Sequence, residues 1–482
     1  MSDHSSDIAP STHVAAIDRL PVELWGHVAS FLVQHNEDNN GDVRSLSQVN
    51  STLRAVSLPH LYRTVSFGTQ IVVTVSEDDG EIDVDALDKL QRIVRDMLNE
   101  LSRDQTRSKH IQTLRLCEYS WFAQSEFQLL TTVVKHCCHQ LRDFQIALNS
   151  DTTQDTYIPH IEPFWQFLVD NCHQLSHLSG RGGPNVALQL SHTRLTQLDM
   201  SGYRFESQDD GPLPLTLRAI KLTFVTGLTP SLFRPQLFDS LEVLLMRAMD
   251  EEDVVQMTRI VREYTATTDR QSTLKSFSVS INATAPEWIN SPLTLNSLLA
   301  SFAPRTFPNL TTIEVLSTHA DGFMLDRALT LCRNLPTCFP QAIDVTVLLG
   351  VNGTGLLSLR YATRSVSEFA QCFAPMVNLR YLTMNILDGL QPDDVEAATY
   401  FRAIPNLQHL SLRGSSTVGD QGGIGFSAIN RRDQLSQRAS SREPGDRDVE
   451  DTTHRDDELA LERHEDEDLR VMEDGVRTLL GE

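Results

Sequence analysis

No run of clustered lysine and arginine interrupts this chain, and its 41 basic residues are outnumbered by 64 acidic ones, a formal charge of −23. A polyanion would be repelled over most of such a surface, which speaks against nucleic acid or an acidic membrane as partner. Nowhere do apolar residues run for the length of a bilayer span. The best stretch, Ala342 to Val351, is short and holds Asp344. Residues Met1 to Ser11 are polar and lack the apolar core of a signal peptide. Cysteine is scarce and scattered: seven residues, an odd number, including the neighbours Cys137 and Cys138. That spacing shows no disulfide framework, and a chain of 482 residues needs none to hold its core. These absences predict an intracellular protein with reduced thiols, cytoplasmic and/or nuclear. The Asn-x-Thr triplets at Asn282, Asn309 and Asn352 then read as accidental.

Motifs of catalysis are missing too. His136, Cys137, Cys138 and His139 have the composition of a metal site. On a helix, however, they fan out around the axis, and no second pair lies at finger-type spacing. A core-facing Cys137 beside exposed histidines is the expected arrangement, and Cys172-His173 reads the same way. Gly419 to Gly425 is glycine-rich but lacks the preceding strand and the Lys-Ser/Thr of a phosphate loop. No Gly-x-Ser-x-Gly nucleophile motif occurs, and no carboxylate pair stands in a convincing frame. The sequence therefore predicts no enzyme, no cofactor and no metal.

What is present is an ordinary globular balance, 40% hydrophobic and 22% charged, long enough for two or three structural units. After a polar segment, 1–16, residues 17–67 carry helical patterning. Pro21 suits a first helical turn and Glu23 the positive end of the helix dipole. Leu24, Val28, Phe31 and Leu32 form one apolar stripe. Gln34 to Asp42 reads as a loop. Val43, Leu46, Val49, Leu53 and Val56 recur at steps of three and four, as one further helix broken by Pro59. Leu61, Tyr62, Val65 and Phe67 lead into a short extended exit. About fifty residues bury too little to stand alone, so this segment leans on the following domain or offers an apolar face to a partner.

In order and register, Leu20-Pro21-x-Glu23-Leu24, Val28, Phe31-Leu32, Leu46, Val49, Leu53 and Leu61-Tyr62 resemble the F-box. The closing Asn50-Ser51-Thr52-Leu53-Arg54 and His60-Leu61-Tyr62-Arg63-Thr64-Val65 resemble the version common in fungal F-box proteins. Two features depart from the pattern: a longer loop at Gln34 to Asp42, and Leu53 where many F-boxes carry Trp. The resemblance implies a helical face that docks on the Skp-family adaptor and, through it, a cullin scaffold. It implies that Leu20, Pro21, Leu24, Val28, Leu32, Val43 and Leu46 supply that face or its support, with Phe31, Val49 and Leu53 internal. A plain helical cap on the next domain is the alternative.

Residues 68–109 read as a linker, acidic from Glu77 to Asp85, followed by an amphipathic coupling helix on Leu87, Leu90, Val94, Met97, Leu98 and Leu101. Across 110–415 a leucine-led phrase recurs, at Leu114, Leu141, Leu175, Leu195, Leu217, Leu241, Leu274, Leu310, Leu379 and Leu407, with a degenerate copy at Ala342 to Leu349. From 114 to 310 the leading leucines lie about 20 to 36 residues apart, the range of irregular leucine-rich repeats. Helical faces alternate with them: Phe127/Leu130/Val133/Val134/Cys137, Phe164/Phe167/Leu168, Val254/Met257/Ile260/Val261 and Leu298/Leu299/Phe302. Units too small to bury themselves must stack, which predicts an α/β solenoid with a parallel sheet. The pattern resembles the leucine-rich-repeat domains that often follow an F-box; a less regular helical array is the alternative. Pro308-Asn309-Leu310 and Pro405-Asn406-Leu407 read as helix exits feeding strands. Arg115, Gln145, Asp199, Lys221, Arg247, Glu314, Asn385 and Arg413, interleaved with the leucines, are the polar residues such a sheet would display.

Residues 416–482 read as a flexible acidic tail. Within it, 456–480 carries Leu469, Met472, Val476 and Leu479 at helical spacing, as a docked helix or a solvated acidic tail. Together these features predict the substrate-recognition subunit of an SCF-type ubiquitin ligase, its adaptor bound by the F-box and an unknown protein target by the repeats. The competing reading is a non-catalytic repeat scaffold whose first helices only cap the solenoid.

Overall fold

A computed structural model describes residues 21–35, 41–67, 84–116, 124–147, 161–181, 190, 193–205, 211–267, 270–281, 291–317, 325–349, 367–386, 394–414, 425–429 and 461–462. The chain divides into two units, Met1–Gly180 and Arg181–Glu482. No helix among the described residues is long and apolar enough to cross a membrane.

The first unit opens with α1 (Val22–His35), α2 (Gly41–Ser47) and α3 (Ser51–Leu61). The single helix expected from Val43 to Val56 is therefore two. Asn50 has extended backbone and its side chain accepts from the Leu53 N–H at 2.8 Å, so it caps a new helix where the apolar period runs on unbroken. Nor does Pro59 stop α3. It lies in the last turn, where its ring removes one intrahelical bond, and the helix continues to Leu61. Strand β1 (Thr64–Phe67) follows, then α4 (Val84–Arg103), a single turn α5 (Gln105–Ser108), β2 (Thr113–Leu116), α6 (Gln124–Cys137), β3 (Asp143–Ala147), α7 (Ile161–Asn171) and β4 (His177–Arg181). These four strands lie in chain order, β1 pairing in parallel with β2 and β2 with β3. Helix α4 packs on α6, where Arg95 pairs with the buried Glu126.

In the second unit β5 (Gln197–Ser201), β6 (Ala219–Thr223), β7 (Val243–Met249), β8 (Ser276–Ile281), β9 (Thr312–Ser317), β10 (Asp344–Leu349), β11 (Tyr381–Ile386) and β12 (His409–Gly414) form a parallel ladder in chain order. Crossovers carry α8 (Glu251–Thr265), α9 (Ser291–Leu299), α10 (Leu325–Cys338), a helix at 367–373 and α11 (Asp394–Ala403). Each leucine-led phrase has become a strand or its approach, so the all-helical alternative is set aside. All ten leading leucines are at most 1% exposed.

One hydrogen-bond device recurs within each unit. The carbonyl of the residue just ahead of one strand accepts from two consecutive N–H groups, those of the residue just ahead of the next strand and of that strand's first residue. Arg63 accepts from Gln112 and Thr113, Gln112 from Arg142 and Asp143, and Arg142 from Ser176 and His177. In the second unit Thr196, Arg218, Glu242, Lys275, Thr311, Ile343 and Arg380 do the same for their successors, at 2.7–3.1 Å. Asparagine of the Pro-Asn-Leu phrases ties neighbouring loops: Asn309 Nδ2 donates to the Ser272 carbonyl at 3.2 Å and Asn406 Nδ2 to Val377 at 2.6 Å.

The stretch expected to be a flexible tail contains β13 (Gly425–Ile429), antiparallel to β12, and the pair β14 (Leu461–Glu462) beside it. Leu461 and Glu462 are extended and ladder-bonded, not helical; the rest of 456–480 and of the tail lies outside the described residues.

Candidate functional site

Helix α1 starts on Pro21, whose carbonyl accepts from Leu24 N–H at 3.0 Å. One side of α1 meets α3: a Cβ placed on Gly26 would stand 4.0 Å from Val56 Cγ1, and Ala29 is fully buried. At 100° per residue, Pro21, Leu24 and Val28 lie on the opposite side. All three are exposed there, Leu24 by 48% and Val28 by 39%. Large apolar side chains left in solvent on one helical stripe call for an explanation that scattered ones do not.

Of the other residues expected on this face, Leu32 and Leu46 are half-buried. Val43 is 1% exposed and belongs to the interior, so it supports the bundle from within and offers no surface. Leu20 and the side chain of Phe31 lie outside the described residues. Leu53 is buried as expected, but Val49 is 57% exposed, against the expectation of an internal position. The break before Asn50 is the reason, because Val49 sits in the turn between helices and not on a helical face.

The sheet displays its polar residues as cross-strand pairs. Arg115 Nη2 lies 3.1 Å from Asp143 Oδ2, and His177 Nδ1 lies 3.1 Å from Asp143 Oδ1. Gln145 Nε2 donates to the same carboxylate at 3.3 Å. Burial pushes the Asp143 carboxyl up, but hydrogen bonding and charge from His177 and Arg115 outweigh it and hold the group below its ordinary range. In the second unit Lys221 pairs with Asp199 at 3.1 Å, as their register places them. Arg247 reaches Glu314 at 3.4 Å, and Ser278 Oγ donates to the same carboxylate. Arg115, Lys221 and Arg247 remain about two-fifths exposed, so each holds a partner and still meets solvent. Asn385 and Arg413 are opposite one another in register; their side chains lie outside the described residues.

The neighbouring Asp344 behaves differently. Burial first, and then the charge of Glu314, lift its carboxyl to about 6. An unfolded aspartate titrates near 3.9, so the native state binds the proton more tightly, and its stability falls as pH rises from about 4 to about 6. Above that window the penalty is complete. Asp344→Asn, which keeps the shape without the charge, is expected to gain about 2 kcal/mol over the parent between about pH 4 and about pH 7. Urea denaturation of both proteins at the two pH values checks this; parallel pH dependence would refute it.

No group of three or more His, Cys, Asp or Glu arranged to hold a metal occurs among the described residues. His136 Nδ1 contacts Ser108 Oγ at 2.7 Å, His139 is exposed, and burial lifts the Cys137 thiol to about 12. Cys137 is fully buried in the core side of α6, as its place in the apolar period implies.

No family model matches the chain, and no curated protein matches it. Among solved structures, a Bacteroides fragilis protein determined by a structural-genomics consortium aligns with a TM-score of 0.28 at 11% identity, over 64% of this chain and 70% of that one. A likeness of that size carries no weight for fold or function.

Proposed function

We propose that this chain is the substrate-recognition subunit of an SCF-type cullin-RING ubiquitin ligase. The observation that carries the reading is the exposed stripe of Pro21, Leu24 and Val28 within a segment whose ordered residues resemble the F-box. Its apolar side chains are of the kind a helical adaptor face would cover. Behind it, parallel strands with paired but part-exposed charges offer a surface for a protein target. The mechanism needs no chemistry from this chain. Adaptor and target held on one molecule raise the effective concentration of the target's lysines near the transferring subunits. Cytoplasm and nucleus are the compartments in which such a complex would act.

The full chain is expected to co-purify with a Skp-family adaptor and its cullin from cells of its own source. Recovery of neither, with the folded chain in hand, would favour the scaffold reading, in which α1 to α3 only cap the repeats.

A further inference from the structure

A cleft of about 850 Å³ lies in the first unit between α2, α3 and the last turns of α4. Its wall includes Thr64 and Ser66 of β1. Among the described residues β1 is the terminal strand of its sheet and pairs with β2 alone. The Arg63 carbonyl points toward β2, where it accepts from Gln112 and Thr113. In an extended strand the groups two residues apart point the same way. Thr64 and Ser66, both lining the cleft, therefore turn their N–H and C=O groups to the outer edge. An edge of this kind is a template for another strand.

The charge of the cleft runs against that of the molecule. In a chain of net −23, its lining carries Arg44, Arg54 and Arg107 and a single carboxylate, Glu100. Glu100 and Asp104 both pair with Arg107, which also lies over the Tyr62 ring at 5.8 Å. Arg44 and Arg54 are exposed and have no acidic partner among the described residues. Leu61 and the exposed Met97 add apolar surface to the lining.

We propose that this cleft binds an extended acidic peptide segment, which adds as a strand to the outer edge of β1 and sets its carboxylates on Arg44 and Arg54. Main-chain bonds would supply the register, alternate side chains would reach the apolar floor, and the arginines would select charge. The site is independent of the adaptor face on α1 and stands or falls without it.

The test uses the full chain and a fluorescein-labelled octapeptide of alternating valine and glutamate, read by fluorescence polarisation. Binding is expected, weakened at least about tenfold in the Arg44→Glu/Arg54→Glu variant, and weakened similarly when the peptide is N-methylated at alternate residues. The methylated peptide keeps its charge and loses one row of main-chain donors, so it isolates strand addition without altering the protein. Equal binding by the methylated peptide, by the charge-reversed variant or by a valine–lysine peptide would overturn the proposal. So would the absence of any polarisation change at about 1 mM glutamate peptide.

Discussion

Replacing Leu24 and Val28 together by glutamate is expected to abolish co-purification of the Skp-family adaptor while leaving the melting temperature of the chain unchanged. Truncating one apolar anchor in an interface commonly costs about 2 kcal/mol or more, and a carboxylate forced against a covered apolar surface adds a desolvation cost. Two such changes should weaken binding by roughly a hundredfold or more. Both side chains are well exposed, and surface substitutions usually move stability by no more than about 0.5 kcal/mol. A pull-down paired with thermal unfolding separates the effects. Retained adaptor in a folded double variant would sink the proposed face. Val43→Ala is the informative contrast: being interior, it should lower stability with little direct effect on the surface.

Phe307→Ala is expected to cost about 3–5 kcal/mol of stability, measured by urea denaturation followed through the second unit's fluorescence and circular dichroism. Phe307 is 1% exposed and sits among Phe302, Phe238 and Tyr264, at ring-centroid distances of 4.8, 5.4 and 5.7 Å. These rings come from the loop before β9, the loop after α9, the 3-10 turn Pro235–Asp239 and α8, so the deletion removes contact between successive turns. In a stack stabilised by nearest neighbours, loosening one joint weakens the turns on either side. Tyr264 is further fixed by its hydroxyl, which donates to Asp239 at 2.8 Å, limiting collapse into the void. A loss below about 1 kcal/mol would mean that the cluster closes over the missing ring.

The repeat strands were legible because each leucine-led phrase carries two signals at once, a buried leader and an alternating run. Leu217 and the following Ile220 and Leu222 are all buried, for instance, while Lys221 between them meets solvent. The helices α6 to α8 were equally plain from their apolar faces. Helix α10 went unread because Pro336 interrupts its pattern near the end, although Ala328, Leu331, Cys332 and Leu335 keep the period and are buried. Strand β13 was hidden by glycine-rich, tail-like surroundings, since its partner is supplied by β12 and not by local propensity. At the N-terminal face the sequence located Leu24 and Val28. It could not separate Val43 from Val49, because a three-and-four period continues across a cap as readily as through a helix. The pairing of Arg115 with Asp143, or Arg247 with Glu314, joins residues far apart in sequence and follows only from the stacking register.

Within each unit the doubly accepting carbonyl ahead of a parallel strand sets the next turn against it at one residue. Register is thereby decoupled from the length of the connection: whatever the chain does between two such residues, the next strand lands in the same place. Crossovers as short as that from Thr196 to Arg218 and as long as that from Arg63 to Gln112 obey it alike. Insertions on the helical side should therefore be absorbed where they occur. A single-residue deletion inside a strand would instead turn the side chains beyond it to the opposite face. Raggedness in repeat length is thus compatible with regularity in the sheet, and the loops are free to diversify at constant architecture.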